Sequence, residues 1–309
     1  MTTTIPTKTQ VWISAMRPRT LPLAVACILL GSALAAANGR FRWPVLLLAV
    51  LTAVLLQILS NLANDYGDSV HGADSIKRGG PQRAVQSGQI TPATMRRAMG
   101  LFALLSIVSG LALLWAAFGG GGSFLFVIFI LLGAAAIGAA ITYTAGKRPY
   151  GYAGLGDLSV LLFFGWAGTI GTYFLHTLAF NLAIILPATS CGFLAVAVLN
   201  VNNIRDIESD RVAGKRSIPV RIGRAQAVRY HWLLLALAML MALAYVLLNF
   251  TSVWQFLFVL VTPLLVRNGT AVTHSQPSAP MQLNPWLKQM SLSTLAFVIL
   301  FSLGHLLAS

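Results

Sequence analysis

Long apolar runs alternate with short polar or glycine-rich links along the whole chain. A hydrocarbon core about 30 Å thick requires roughly 20 apolar residues of helix to cross it. Segments that fit this template lie near residues 20–38, 44–63, 98–118, 124–144, 155–175, 179–201, 231–249, 253–267 and 288–307. Because lipid offers the backbone no hydrogen-bond partner, such segments form helices. The pattern therefore predicts an all-α polytopic membrane protein, with residues 1–309 as a single transmembrane bundle of about nine helices.

The composition excludes an ordinary soluble protein. Hydrophobic residues make up 57% of the chain and charged residues 9%, where a soluble domain carries about a quarter charged residues. The formal net charge of +14 is also typical of nucleic-acid-binding proteins, but the long apolar runs favour a membrane. We therefore expect contact with the lipid bilayer and none with nucleic acid, and the sequence indicates no obligate protein partner.

The lysines and arginines fall almost entirely on one side of the predicted bundle. With nine helices, 19 of the 21 lie on the side of the N-terminus, and only Arg40 and Arg42 lie on the other. Because cytoplasmic links retain basic residues, we predict a cytoplasmic N-terminus, an outward-facing C-terminus and cytoplasmic regions that include 1–19, 64–97 and 202–230. An eight-helix alternative has the first helix removed as a signal peptide, because Ala35–Ala37 resembles a cleavage site; the apolar stretch is longer than signal peptides usually have.

Six of the seven acidic residues fall in two clusters, each at the predicted cytoplasmic end of a long helix. The first cluster, NLANDYGDSVHGAD, spaces Asn61, Asp65 and Asp68 at i, i+4 and i+7, so that they share one helical face. The second cluster, NVNNIRDIESD, also presents one amide and two carboxylates, spaced i, i+4 and i+8: Asn202, Asp206 and Asp210.

Oxygen ligands of this kind suit hard divalent cations, and Mg²⁺ usually completes its coordination with substrate phosphates and water. The structural alternative is that these residues are helix caps and solvated loop charges. One cluster alone would favour that alternative, but two matched clusters favour metal binding. Loops on the same side also carry cations suited to a diphosphate: Arg78, Arg83, Lys147, Arg148, Lys215 and Arg216. A metal-bound diphosphate at a membrane suggests a lipid-soluble polyprenyl donor.

At this point the residues resemble the UbiA superfamily of intramembrane aromatic prenyltransferases, over essentially the whole chain. The Asn-Asp-x-x-Asp motif of that family is matched by Asn64, Asp65 and Asp68, and its Asp-x-x-x-Asp motif by Asp206 and Asp210. A family Tyr-x-x-x-Lys-Arg element after the fourth helix is matched by Tyr143, Lys147 and Arg148. The basic loop residue that follows the first motif corresponds to Arg83, with Ser87 and Gly88 as its Ser-Gly, and the lysine after the second motif corresponds to Lys215.

Within the family, the segments NLANDYGD, GLGD and NNIRDIESDRVAGKRSIPVRIG resemble the branch whose acceptor is 1,4-dihydroxy-2-naphthoate. Two departures from the general family pattern favour that branch. Gly72 stands where a third acid of the first motif is expected, with Asp74 two residues later. Asn202 stands where the hydroxybenzoate branch tends to carry a tyrosine.

The resemblance implies a Mg²⁺-dependent reaction in a bacterial cytoplasmic membrane, with the active site facing the cytoplasm. Mg²⁺ held by Asp65, Asp68, Asp206 and Asp210 would neutralise the diphosphate of a polyprenyl diphosphate, with Asn202 and Asp74 as less secure ligands. The diphosphate would be stabilised by Arg83, Lys147, Arg148 and Lys215. The acceptor ring would then attack the allylic cation and lose CO₂, which gives demethylmenaquinone in menaquinone biosynthesis. Candidates to orient the acceptor or face the cation are Asn61, Asn64 and Tyr143.

Two other functions stay open. A cation-coupled transporter also places carboxylates on paired helices, although usually near the bilayer midplane. A prenyltransferase for another aromatic acceptor, such as 4-hydroxybenzoate, would share most of the motifs. The seventh acid, Asp157, begins the fifth predicted helix, and we interpret it as structural, either as an N-terminal cap or as the partner of a loop arginine.

Overall fold

The computed structural model describes residues 7–70, 83–146 and 148–309, and all regular secondary structure in these ranges is helical. Nine spans within them are long and apolar enough to cross a membrane. Numbered first to ninth, they are Lys8–Ala37, Trp43–Val70, Pro92–Phe118, Phe124–Thr142, Gly156–Thr177, Leu182–Arg205, Ile218–Leu248, Val253–His274 and Pro280–Leu306. The predicted all-α membrane bundle is confirmed for the described residues.

The first span begins earlier than the apolar pattern predicts, because a short helix, Lys8–Met16, precedes the membrane-length segment. Thr7 and Gln10 close its N-terminus with reciprocal side-chain to backbone hydrogen bonds, a capping box. The chain turns at Arg17, which has a left-handed φ of 50°, before the helix resumes at Leu21. The predicted segment 1–19 is therefore helical over much of its described part.

The predicted loops 64–97 and 202–230 are also partly helical. The second span continues to Val70 and the sixth to Arg205, and the short helix Ile207–Val212 follows the sixth. The polar residues of these segments are largely buried and hydrogen-bonded to neighbouring elements. The helices therefore continue through residues that an apolar count treats as helix ends.

The eighth span runs past its predicted end at residue 267, because its polar residues also face the protein interior. Asn268 is fully buried. Its side-chain amide donates to the Trp286 carbonyl at 2.9 Å, and its Oδ1 lies 3.0 Å from Nε2 of His231. These contacts join the seventh, eighth and ninth spans.

The polar ends of the spans meet at one end of the bundle. Arg205, at the end of the sixth span, donates to Asn284 in the ninth at 2.7 Å. Arg224 in the seventh span donates to the Ser275 carbonyl after the eighth at 2.7 Å. The loops at this end of the bundle carry most of the basic residues of the chain.

Small residues allow the first, fifth and sixth spans to pack closely, as is common between membrane helices. A Cβ atom on Gly31 would lie 2.4 Å from the Thr169 carbonyl oxygen, and one on Gly165 would lie 2.9 Å from that of Ala188. In the fifth span, Leu161–Ile170 winds as a π-helix, a form often found at functional sites. The fourth span has no buried residue between Phe124 and Thr142, because a cavity lies along its inner face.

Candidate active site

A cavity of about 1160 Å³ lies mainly between the first six spans and has a polar end and an apolar body. The polar end is lined by residues from both acidic clusters and their loops: Asn61, Asn64, Asp68, Arg83, Asn202, Asp210 and Lys215. In the apolar body, Phe129 of the fourth span stacks on Phe174 of the fifth, with ring centres 5.5 Å apart. This stack lies roughly 20 Å along the fourth span from Tyr143, at 1.5 Å per residue. The cavity thus combines a charged head region with a long apolar channel.

Asp68 is the centre of the polar end. Its carboxylate forms ion pairs with Arg83 and with Lys215, whose Nζ lies 2.9 Å from Oδ1. The Tyr152 hydroxyl donates to the same oxygen at 2.8 Å. Since the Asp68 side chain is 1% exposed, these two cations and one hydroxyl offset the cost of burying its charge.

Lys215 joins the two acidic clusters. Its Nζ also lies 3.6 Å from Oδ1 of Asp210 and 4.9 Å from the centre of the Tyr152 ring. The Lys215 backbone N–H donates to the Asp210 carbonyl at 2.8 Å, so the turn after the short helix Ile207–Val212 holds the lysine in place. One ammonium group therefore contacts carboxylates from both predicted motifs.

The loop between the fourth and fifth spans supplies two tyrosines to the cavity. Burial raises the pKa of Tyr152, and the adjacent Asp68 carboxylate raises it further. Burial also raises the pKa of Tyr143, and the neighbouring Asp157 adds to the shift. Both hydroxyls therefore stay protonated at neutral pH and can donate hydrogen bonds.

Asp65 lies one helical turn before Asp68, but its carboxylate binds the protein backbone. Its two oxygens accept the N–H groups of Ala84 and Val85, each at 3.1 Å. These bonds fix the loop that carries Arg83, whose guanidinium also donates to the Asn64 carbonyl. Asp65 does not line the cavity in the described structure, and its predicted role as a metal ligand stays a prediction.

Asp206 is also held by a neighbouring side chain. Arg205 binds it through two hydrogen bonds of 2.8 and 2.7 Å, and the same guanidinium donates to Asn202 at 2.8 Å. The helix is interrupted at Asp206, so that Asp210 lies on a separate short helix. Glu208, the remaining acid of the second cluster, is exposed and pairs with Arg211 at 3.0 Å.

Of the remaining predicted residues, some line the cavity and others do not. Asn61 donates to the Met16 carbonyl at 2.9 Å, and Asn64 Oδ1 accepts the Thr144 hydroxyl at 2.9 Å, so both amides line the cavity while holding neighbouring segments. Arg148 is exposed and does not line the described cavity. Asp74 and Lys147, predicted as a metal ligand and a diphosphate ligand, lie outside the described residues.

Sequence reasoning missed Tyr152 and the pairing of Arg205. Tyr152 stands nine residues after Tyr143 in a run rich in glycine and tyrosine, PYGYAGLGD, and only the fold brings it to Asp68. Arg205 is one of the basic residues on the predicted cytoplasmic side, and it directly precedes Asp206. A basic residue adjacent to a motif acid was the signal available in the sequence.

The acidic side chains fit a metal that binds together with a diphosphate. Among the described residues, no group of three or more His, Cys, Asp or Glu side chains is arranged to hold a metal ion alone. Asp68 and Asp210 nevertheless lie close enough for one Lys215 ammonium to contact both. Mg²⁺ is typically bound by one or two carboxylates plus phosphate oxygens and water, and the described site offers that donor set.

Gly67 sets the distance between Asp68 and the Tyr143–Ala145 turn, because a Cβ atom on Gly67 would lie 2.4 Å from the Thr144 carbonyl oxygen. We expect Gly67→Ala to destabilise the protein by about 1–3 kcal/mol through overpacking and to lower turnover by displacing Asp68 or Tyr143. Gly100→Ala in the third span is the matched control, because no atom lies within 4 Å of a Cβ there. Thermal unfolding and initial rates of both variants test this, and equal behaviour of the two would contradict the proposed close contact.

Fold and site together define a helical membrane protein whose cavity has a charged end and a long apolar body. The chain belongs to the UbiA prenyltransferase family, whose family model matches residues 24–284. The resemblance drawn from the motifs is therefore confirmed at the level of the family.

The chain is similar to named members of that family over nearly its whole length. It is 48% identical to the 1,4-dihydroxy-2-naphthoate octaprenyltransferase of Escherichia coli (strain K12), which covers 97% of this chain and 96% of the relative. It is 47% identical to the Haemophilus influenzae protein of the same name, with 97% of each chain covered. A solved structure of a UbiA homolog from Archaeoglobus fulgidus bound to GPP and Mg²⁺ has a TM-score of 0.58 and 19% identity, and covers 92% of this chain and 98% of that chain. At this identity the structural likeness supports the fold.

Proposed function

We propose that this protein transfers a polyprenyl group from a polyprenyl diphosphate to 1,4-dihydroxy-2-naphthoate, with loss of CO₂ and diphosphate, to give the hydroquinone form of demethylmenaquinone in menaquinone biosynthesis. The observation that carries the proposal is the cavity, which joins the buried Asp68–Lys215–Asp210 cluster to a long apolar channel. The full-length similarity to naphthoate octaprenyltransferases supports the choice of acceptor.

The polar end is suited to hold the diphosphate. Arg83 and Lys215 present positive charge at the position where negative charge grows as the allylic C–O bond breaks. Asp68 and Asp210 would hold Mg²⁺, which when bound neutralises diphosphate oxygens and favours their departure. Asp65 holds the loop of Arg83, and Arg205 orients Asp206. The predicted roles of Asp65 and Asp206 as metal ligands require their carboxylates to exchange these partners for metal.

The apolar body is suited to the isoprenoid chain. The fourth span has its residues exposed on both faces, toward the cavity and away from the bundle. A tail longer than the channel would therefore extend past this span into lipid. Tyr143 and the Asn61 and Asn64 amides, which line the polar end, would orient the acceptor above the allylic carbon.

The location follows from the basic residues. The active-site end of the bundle carries most of the lysines and arginines, and such links remain on the cytoplasmic side. We therefore place the protein in a bacterial cytoplasmic membrane with this end facing the cytoplasm, where a water-soluble acceptor would enter. The first described helix, Lys8–Met16, contacts the same end, because the Asn61 side chain donates to the Met16 carbonyl.

The direct test is turnover by the purified protein in lipid nanodiscs with octaprenyl diphosphate and Mg²⁺. We expect a prenylated product with 1,4-dihydroxy-2-naphthoate and, because the resemblance favours the naphthoate branch, little or none with 4-hydroxybenzoate. Product with 4-hydroxybenzoate alone would overturn the choice of acceptor. Absence of product with both acceptors, together with cation flux in proteoliposomes, would favour a transporter.

A further inference from the structure

A buried carboxylate lies in the cavity wall apart from both acidic clusters. Asp157, in the first turn of the fifth span, is 8% exposed and lines the cavity. Its Oδ2 accepts a hydrogen bond of 2.9 Å from the hydroxyl of Tyr230 in the seventh span. Leu155 occupies the cap position and no arginine pairs with Asp157 among the described residues. Asp157 is therefore neither the N-cap residue nor, among the described residues, the partner of an arginine; it lies in the first turn of the helix and its side-chain partner is Tyr230.

Burying a carboxylate in this environment is costly without compensating partners. Asp68 has two cations and a tyrosine hydroxyl, whereas the Asp157 carboxylate accepts from the Tyr230 hydroxyl and from its own backbone N–H and has no cation partner among the described residues. Acidic residues inside membrane spans usually mark substrate or ion sites.

A second polar group lies beside Asp157. A Cβ atom on Gly156 would lie 2.7 Å from the Tyr143 hydroxyl oxygen, so this hydroxyl lies directly against the backbone that precedes Asp157. Tyr143 lines the same cavity. Asp157 lines the described cavity, whereas its partner Tyr230 does not.

We infer that Asp157 and Tyr143 form the subsite that binds a ring hydroxyl of the aromatic acceptor, separate from the diphosphate end. Asp157 accepts the hydrogen bond from the acceptor hydroxyl and Tyr143 donates one to it, since one hydroxyl can both donate and accept. Tyr230 is a positioning residue that holds the carboxylate toward the cavity. The inference rests on the proposed function, because it assigns the hydroxyl to a dihydroxynaphthoate.

The subsite has a consequence for reactivity as well as for binding. A hydrogen bond from the acceptor hydroxyl to a carboxylate shifts electron density toward the oxygen and into the ring, which makes the ring carbon a better nucleophile. In a site of low dielectric this polarisation is stronger than in water. No proton needs to leave the acceptor for this effect.

The test compares direct binding of two acceptor analogues that each keep one hydroxyl, 1-hydroxy-2-naphthoate and 4-hydroxy-2-naphthoate. Dissociation constants are measured by calorimetry on the full chain for the wild type and Asp157→Ala. One of the two analogues keeps the hydroxyl that binds Asp157. We expect that analogue to bind about tenfold more weakly to the variant than to the wild type, as for loss of a charge-assisted hydrogen bond. The other analogue and octaprenyl diphosphate should bind unchanged.

Two further variants keep the test decisive. Asp157→Asn preserves the shape and the Tyr230 contact, and should show the same selective loss to a smaller degree even if Asp157→Ala fails to fold. Thr189→Ala is the control, because it removes a hydrogen bond of 3.0 Å to Trp166 between the fifth and sixth spans without changing a residue of the subsite. It should leave the ratio of the two analogue affinities as in the wild type.

An unchanged ratio of analogue affinities in Asp157→Asn would overturn the inference, and so would an equal loss for all ligands. Turnover of 1,4-dihydroxy-2-naphthoate by the wild type is measured in parallel. Its absence would overturn the proposed function, whereas wild-type turnover with an unchanged ratio would overturn the hydroxyl subsite alone.

Discussion

Asp68→Asn is expected to lower kcat by about 10²–10³-fold, the scale at which removal of a transition-state electrostatic group acts. The substitution removes the negative charge that pairs with Arg83 and Lys215 and that is available to a metal. The amide keeps the size of the side chain and can still accept the Tyr152 hydroxyl, so the fold should persist. Initial rates at saturating substrate, with Mg²⁺ titrated, provide the measurement.

Glu208→Gln is the matched control for Asp68→Asn. Glu208 is an acid of the second cluster, but its side chain is 79% exposed and pairs with Arg211 across the helix surface. Exposed pairs of this kind contribute little to stability, and this one lies away from the cavity. Turnover of Glu208→Gln should equal that of the wild type. A similar loss of activity in both variants would contradict the central position of Asp68.

Asp206→Leu is expected to abolish turnover and to destabilise the protein by about 3–5 kcal/mol, the usual cost of leaving a buried charge without its partner. The unpaired charge is that of Arg205, whose side chain is 4% exposed. Thermal unfolding in detergent measures the stability, and product formation measures the turnover. The two losses have different causes and can be separated.

The double variant Arg205→Met, Asp206→Leu separates the loss of stability from the loss of turnover. Replacing both partners of a buried ion pair with apolar residues is often neutral for stability, so thermal stability should return toward that of the wild type. Turnover should stay absent, because the carboxylate of the second motif is still missing. Recovery of both properties would show that Asp206 serves only to neutralise Arg205, and its predicted role in metal binding would be wrong.

The spans were predictable because the hydrocarbon core imposes a length and an apolar composition that can be counted directly. The residues at which the spans end were not predictable in this way. The second span continues to Val70 through Asp65 and Asp68, because those side chains find partners in the loop of Arg83 and in Lys215. The eighth span continues because Asn268 is buried against Trp286 and His231. In both cases contacts distant in sequence decide where a polar segment stays helical.

The candidate site was also predictable only in part. The motif spacing identified Asp68, Arg83, Asp210 and Lys215, and the fold brings these four side chains to one end of the cavity. The pairing of Asp157 with Tyr230 was not predictable, since the two residues are 73 positions apart and belong to no shared motif. The hydrogen bond links the fifth span to the seventh, which are far apart in the sequence. A carboxylate that looks like a helix cap in sequence can therefore face a cavity in the fold.

The central claim is that one cavity couples a metal-dependent diphosphate departure to prenylation and decarboxylation of a naphthoate. The most direct test supplies the purified protein with octaprenyl diphosphate, Mg²⁺ and 1,4-dihydroxy-2-naphthoate labelled at the carboxyl carbon, and measures labelled CO₂ and prenylated product together. We expect equal amounts of CO₂ and product, both lost in EDTA and both restored by added Mg²⁺. Product formation that persists in EDTA, or prenylated product that retains the labelled carboxyl group, would contradict the account.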